Sequence, residues 1–198
     1  NQMENIIWEC QSTSQAIYAA QEKICFDTRE KVSKLAPLLF FYEELLCQDY
    51  PHFKEKIINF FESDLLPSNI TFKYKGRLVS TALYIQLSCI FACLTYARTI
   101  ENICEIGGGL GCSARLWMTN PIQNINRYTI VDIPESLFFA ELFLKKTLTD
   151  ATIIYVQPGF RYENYSETSR AIFLCPIAQA GIIEGIPFDC ITGVASFQ

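Results

Sequence analysis

The sequence predicts an α/β protein, with a parallel sheet and crossover helices preceded by a helical N-terminal region. Three observations predict it. Residues 4 to 65 carry apolar residues at helical spacing. From residue 101 the pattern changes to short β-rich runs alternating with helical ones. Between a strand and a helix of this second part stands Ile106-Gly107-Gly108-Gly109-Leu110-Gly111, four glycines in five residues. The expected division is residues 1–75 for the helical region and 76–198 for the sheet domain.

In the first part, Asp27 and Glu30 have capping-box spacing before a helix carrying Val32, Leu35, Leu38 and Leu39. Pro37 is expected to kink or divide that helix, and 40–46 continue it. Pro51 suits the first turn of another helix with Phe53, Ile57, Phe60 and Phe61 on one face. Pro67-Ser68-Asn69 breaks the run. Residues 70–74 read as a short strand or extended loop, with a turn at Gly76. Ser80 is the expected N-cap of a long apolar helix.

In the second part the expected elements are strand 102–106, helix 111–119, strand 127–131 and helix 134–147. Pro121 follows the first helix and Pro134 opens the second. Residues 151–157 read as a strand and 158–170 as a polar, mobile loop. Two more core strands are expected at 171–176 and 189–194.

Composition limits the functions open to such a chain. It has 198 residues, half of them apolar, and a formal charge of −5. No basic run or stripe is present, which argues against a nucleic-acid partner, and the acidic balance fits poorly with an anionic membrane. Residues 78–97 are 20 residues without a charge, but Ser80, Thr81, Gln86, Ser88 and Thr95 dilute them. A buried helix explains the segment better than a membrane span. The N-terminus is polar, with no leader-like apolar run. Nine cysteines, at 10, 25, 47, 89, 93, 104, 112, 175 and 190, include no C-x-x-C pair, and the single histidine, His52, has no cysteine beside it. A zinc or other metal site is therefore not expected. Most of these cysteines lie in apolar runs, as buried free thiols of a reducing cytoplasm do. Cys112 falls in the first turn of a helix, where a thiolate is favoured, though a small packing residue is the commoner occupant.

The glycine run carries the chemistry. Glycines turn the backbone sharply and leave no Cβ in the way of a ligand, and the following helix offers unpaired N–H groups. Asp132 ends the next β-rich run, 21 residues beyond Gly111, the usual place for an acid that binds ribose hydroxyls. Gly109-Leu110-Gly111-Cys112-Ser113-Ala114 also fits the dinucleotide pattern G-x-G-x-x-A, which leaves a nicotinamide or flavin site open.

The wider run, Glu105-Ile106-Gly107-Gly108-Gly109-Leu110-Gly111, resembles motif I of class I S-adenosylmethionine-dependent methyltransferases: an acid, any residue, then Gly-x-Gly-x-Gly. The segment from Tyr128 through Asp132-Ile133-Pro134-Glu135 to Leu137 is similar to the one that follows motif I in putative sugar O-methyltransferases. Phe188-Asp189-Cys190 through Ser196-Phe197-Gln198 resembles the fourth core strand of that family. The likeness covers about residues 76 to 198 and is loose beyond Ala151. It implies a Rossmann-like methyltransferase sheet, S-adenosylmethionine as cofactor, and methyl transfer to a hydroxyl of a sugar-like small molecule in the cytoplasm.

By position it implies Glu105 organising the loop and meeting the cofactor's amino group. Gly107, Gly108, Gly109 and Gly111 would allow close approach. Asp132 would accept from the ribose hydroxyls, and Ile133, Pro176, Ile177 and Ala195 would lie along the cofactor pocket. The plainer alternatives are that Asp132 caps the helix at Pro134, that Glu105 only braces the loop, and that the isoleucines are core. Ser196 and Gln198 either face the acceptor or end a strand.

A sugar hydroxyl needs a general base. His52 has the right type, but a lone histidine beside Pro51 in a helical region is more often a surface residue. The family sheet has seven strands, and about four core strands are legible here, so a shortened chain with an incomplete sheet is expected. The base would then lie beyond the sequence. An open sheet edge recruits another chain, so a homo-oligomer or a non-catalytic binding module of the same fold also stands as a reading.

Overall fold

The computed structural model describes residues 31–66, 71–97, 99–165 and 170–193, with side chains from residue 37. The capping box at Asp27, the break at 67–69, and Ala195, Ser196 and Gln198 lie outside the described residues. The chain forms two compact units, Asn1–Arg98 and Thr99–Gln198.

In the first unit, helix α1 (Lys31–Asp49) runs unbroken past Pro37, so the expected division there does not occur. The ring removes one amide from the helix ladder. Leu39, Tyr42 and Leu46, buried at intervals of three and four residues, hold the rest of the helix in place. Pro51–Asn59 is a 3-10 helix. Its Ile57 and the following Phe60 are buried, whereas Phe61 is half exposed and leaves the expected apolar face. Strands β1 (Phe72–Tyr74) and β2 (Arg77–Val79) form an antiparallel hairpin. Lys75 and Gly76, at φ 48° and 78°, make the two-residue turn that matches strand twist.

Ser80 caps helix α2 (Thr81–Tyr96) as expected, accepting from Leu83 N–H at 3.0 Å and donating to Glu62 Oε1 at 2.5 Å. Phe91 of α2 stacks on Phe53 and meets Tyr50 and Phe60 edge-on. Residues 76–97, grouped with the sheet domain on sequence, thus belong to the first unit. Arg77 is the physical reason. Its buried guanidinium donates to the carbonyls of Ile57 and Phe60 at 2.6 and 2.9 Å and to Glu43 Oε2 at 2.6 Å, tying the hairpin to α1 and the 3-10 helix.

The second unit is a five-stranded, wholly parallel sheet with helices, an α/β architecture compatible with a Rossmann-like fold. Its elements are β3 (Asn102–Ile106), α3 (Cys112–Met118), β4 (Arg127–Asp132), α4 (Pro134–Thr147), β5 (Thr152–Tyr155), β6 (Ala171–Pro176) and β7 (Cys190–Thr192). The strand order is β5-β6-β4-β3-β7. Strands β3, β4 and β6 are buried nearly throughout, as central parallel strands must be, and are mostly apolar apart from residues such as Glu105 and Thr129. The edge strands β5 and β7 are only half buried.

One face of the sheet, with Cys104, Val131, Phe173 and Cys175, is covered by irregular chain. Phe160 and Tyr165 stack at 5.6 Å, and both pack on Phe173, as does Tyr162. Within the expected loop, Phe160, Tyr162 and Tyr165 thus form an aromatic strap over the sheet. The three rings outweigh the charged residues between them because Phe173 offers them a buried apolar surface.

Every described cysteine is a free thiol, and Cys89, Cys93, Cys104 and Cys175 are buried. Among the described residues no helix is long and apolar enough to cross a membrane, and no cluster of metal-ligating side chains occurs.

Candidate functional site

Parallel strands deliver all their carboxyl ends to one edge of the sheet. Here the chain leaves β3 for β4 on one side, while β7 lies on the other. The order therefore reverses at β3, and a crevice is expected outside the carboxyl end of that strand. The glycine run 107–111 occupies that point.

The loop is closed by its own backbone and by one carboxylate. Gly107 N–H donates to Val131 O at 2.8 Å, and Gly111 N–H to Gly108 O at 2.9 Å. Asp132, the last residue of β4, accepts from Gly109 N–H through Oδ2 at 2.8 Å and from Ile133 N–H through Oδ1 at 2.7 Å. Asp132 therefore clamps the loop. It does not cap α4, whose N-cap is Ile133, with Pro134 in the first turn. The amides of Gly107, Gly109 and Gly111 are thus all engaged within the protein.

Tight packing explains the glycines. A Cβ on Gly108 would sit 2.5 Å from Ile130 Cγ2 and 2.9 Å from Glu105 Oε2. Gly111 combines a left-handed φ of 83° with a Cβ position 2.9 Å from Leu144 Cδ1. Gly109 also has positive φ, at 53°, but faces open space. The loop is thus pressed onto β3, β4 and α4 on its inner side and open at Gly109.

Glu105 lies directly under the loop, only 2 % exposed. It shares a sheet face with Ile130, its registered partner on β4, and with Tyr128 and Asp132 two residues either way along that strand. Burial pushes its carboxyl up to about 7. The hydroxyls of Tyr128 and Ser113 pull the other way, and the charge of Asp132 adds a smaller upward push. The two hydroxyls lie 3.3 Å apart. Oε2 is buried and has no hydrogen-bond partner among the described residues. An orphaned buried carboxylate oxygen is costly, and a cation or N–H donor brought near it would offset that cost.

Ile133 and Ile177 follow the registered pair Asp132 and Pro176, at the ends of adjacent strands. They are 52 % and 51 % exposed, so they are not core residues. Each half-exposed isoleucine stands just past the carboxyl end of its strand, next to the pair Asp132 and Pro176. The structure thus brings together Glu105, Gly107, Gly108, Gly109, Gly111, Asp132, Ile133, Pro176 and Ile177 at one sheet edge. His52 is exposed on the 3-10 helix of the first unit.

Sequence reasoning missed Tyr128 and Ser113. Strand periodicity held a signal for the first, because a residue four before Asp132 along β4 shares its face. Ser113 gave none, since only the turn of α3 brings it to Glu105.

The residues at the loop suit a cationic adenosyl group. Glu105 and Asp132 are both acids, Glu105 has an unsatisfied oxygen, and the loop leaves open space at Gly109. The same acids would repel the pyrophosphate of a dinucleotide. In comparisons with known proteins, no family model, curated protein or solved structure matches this chain.

Proposed function

We propose that the second unit binds S-adenosylmethionine and that the protein transfers its methyl group to a hydroxyl of a sugar or glycosylated small molecule. The observation that carries this reading is the clamp between Gly109 N–H and Asp132 Oδ2 at the point where the strand order reverses. That clamp sets a carboxylate beside the glycine-rich loop.

When bound, the cofactor supplies a methyl group on a sulfonium, ready for in-line attack. The chain supplies position and charge. Glu105 places a buried acid under the loop to attract a cation. Asp132 keeps its carboxylate at the loop's outer edge, where ribose hydroxyls can donate to it. Ile133 and Ile177 offer flat apolar contact for the adenine and exclude water. Orientation of this kind removes a large part of the barrier to methyl transfer, which needs little covalent help from the protein. The acceptor's sugar-like nature rests on the resemblance of 128–137 and 188–198 to sugar O-methyltransferases.

A non-catalytic module of the same fold is the second reading. It is favoured by one observation: both oxygens of Asp132 already accept backbone N–H groups, one of them from the loop. Titration calorimetry with S-adenosylmethionine tests the proposal. Binding by the intact chain, lost in Asp132→Ala and Gly109→Val, supports it. A well-folded protein with no measurable heat overturns it, and enhanced NADH fluorescence would move the assignment to a nicotinamide site. If binding is seen, methylation of a panel of sugars and glycosides separates the enzyme from the module.

A further inference from the structure

We infer that Glu105 is a proton-exchanging residue, so that a cationic ligand entering the glycine loop expels a proton from its carboxyl. The inference rests on the proposed cofactor site and concerns its regulation. Glu105 is almost completely buried, and its Oε2 has no partner among the described residues. It lies close enough to the loop that a Cβ on Gly108 would stand 2.9 Å away. No basic residue figures among the groups that set its charge. Tyr128 and Asp132 act on it from β4 and Ser113 from α3. On β7, Thr192 is its registered neighbour, and the Cys190 thiol acts on Tyr128. Cys104 adjoins it on its own strand and feels its charge.

A carboxyl so placed holds its proton near neutral pH, since burial without a counter-charge favours the neutral form. A cation at the loop supplies the missing counter-charge. The proton leaves to solvent, and the carboxylate pairs with the ligand. By linkage, the same ligand binds more weakly where the proton is harder to remove. With the free carboxyl titrating at about 7, affinity should weaken roughly eightfold between pH 7.5 and pH 6.

The experiment combines infrared spectroscopy and calorimetry on the full chain, with S-adenosylmethionine as probe. The ligand-free protein should show a protonated-carboxyl band at pH 6.5 that Glu105→Gln removes and S-adenosylmethionine bleaches. Calorimetry at pH 6.5 in two buffers of different ionisation enthalpy should show proton release, absent in Glu105→Gln. Tyr128→Phe, which removes a hydroxyl that lowers the Glu105 pKa, should move the band's titration to higher pH and serves if Glu105→Gln does not fold. Binding without proton release and without loss of the band overturns this inference and leaves the cofactor site standing. Absence of binding in folded protein overturns both.

Discussion

Replacing the loop glycines one at a time with alanine should give three different losses of stability, because each glycine is required for a different reason. At Gly109 the added Cβ meets nothing within 4 Å, so only the left-handed φ of 53° counts. That strain is about 1 kcal/mol. At Gly108 the backbone is ordinary, but the Cβ would lie 2.5 Å from Ile130 Cγ2 on a central, buried strand. Overpacking of that kind costs about 2 kcal/mol. Gly111 carries both burdens, a φ of 83° and a contact at 2.9 Å with buried Leu144, so about 3 kcal/mol is expected. Urea unfolding reads the second unit alone if it is followed by the fluorescence of Trp117, buried in α3, in a Trp8→Phe background. The reasoning fails if Gly109→Ala costs as much as Gly111→Ala, or if Gly108→Ala is neutral.

Asp132→Asn keeps a side-chain acceptor but loses the charge. It should weaken S-adenosylmethionine binding at least tenfold and speed amide exchange at Gly109, whose N–H it holds. The stability of the wild type should fall as pH rises. The Glu105 carboxyl is protonated in the fold up to about 7 but ionises near 4.5 in the unfolded chain, so its contribution is full below 4.5 and is lost through 7. The total is about 3 kcal/mol, and Glu105→Gln should flatten the pH profile of the urea midpoint over this window. Arg77→Met leaves buried Glu43 with Lys75 as its counter-charge and the Tyr84 hydroxyl as a further donor. It should cost about 3 kcal/mol, read as faster exchange along α2. Ser80→Ala removes the N-cap of α2 and the donor to Glu62, and should cost about 1–2 kcal/mol by the same readout.

How legible the fold was depended on which force decided each element. Strand 102–106 and helix 134–147 fall where the sequence placed them, because the glycine run that ends the one and Pro134 that opens the other leave little choice. Pro37 misled because a proline is a local signal, and the burial of Leu39, Tyr42 and Leu46 overrides it. The strap within 158–165 went unread for a related reason: its aromatic residues are scattered among charges, and only Phe173, on a later strand, gives them a common surface. The unit boundary was hidden because Arg77 looks like a surface charge until the carbonyls of Ile57 and Phe60 close around it.

At the site, the glycines and the two acids were visible as a pattern. That Asp132 binds the loop amide itself, and that Tyr128 and Ser113 flank Glu105, depend on pleat and helix phase across three elements.

Amide chemical shifts of the nitrogen-15-labelled protein, recorded while S-adenosylmethionine is added, test the central claim most directly. Saturable shifts should appear at 105–111, 132–133 and 177, with the first unit little changed. Shifts that fall elsewhere, or a spectrum unmoved at millimolar ligand, would contradict the placement of an adenosyl site on this loop.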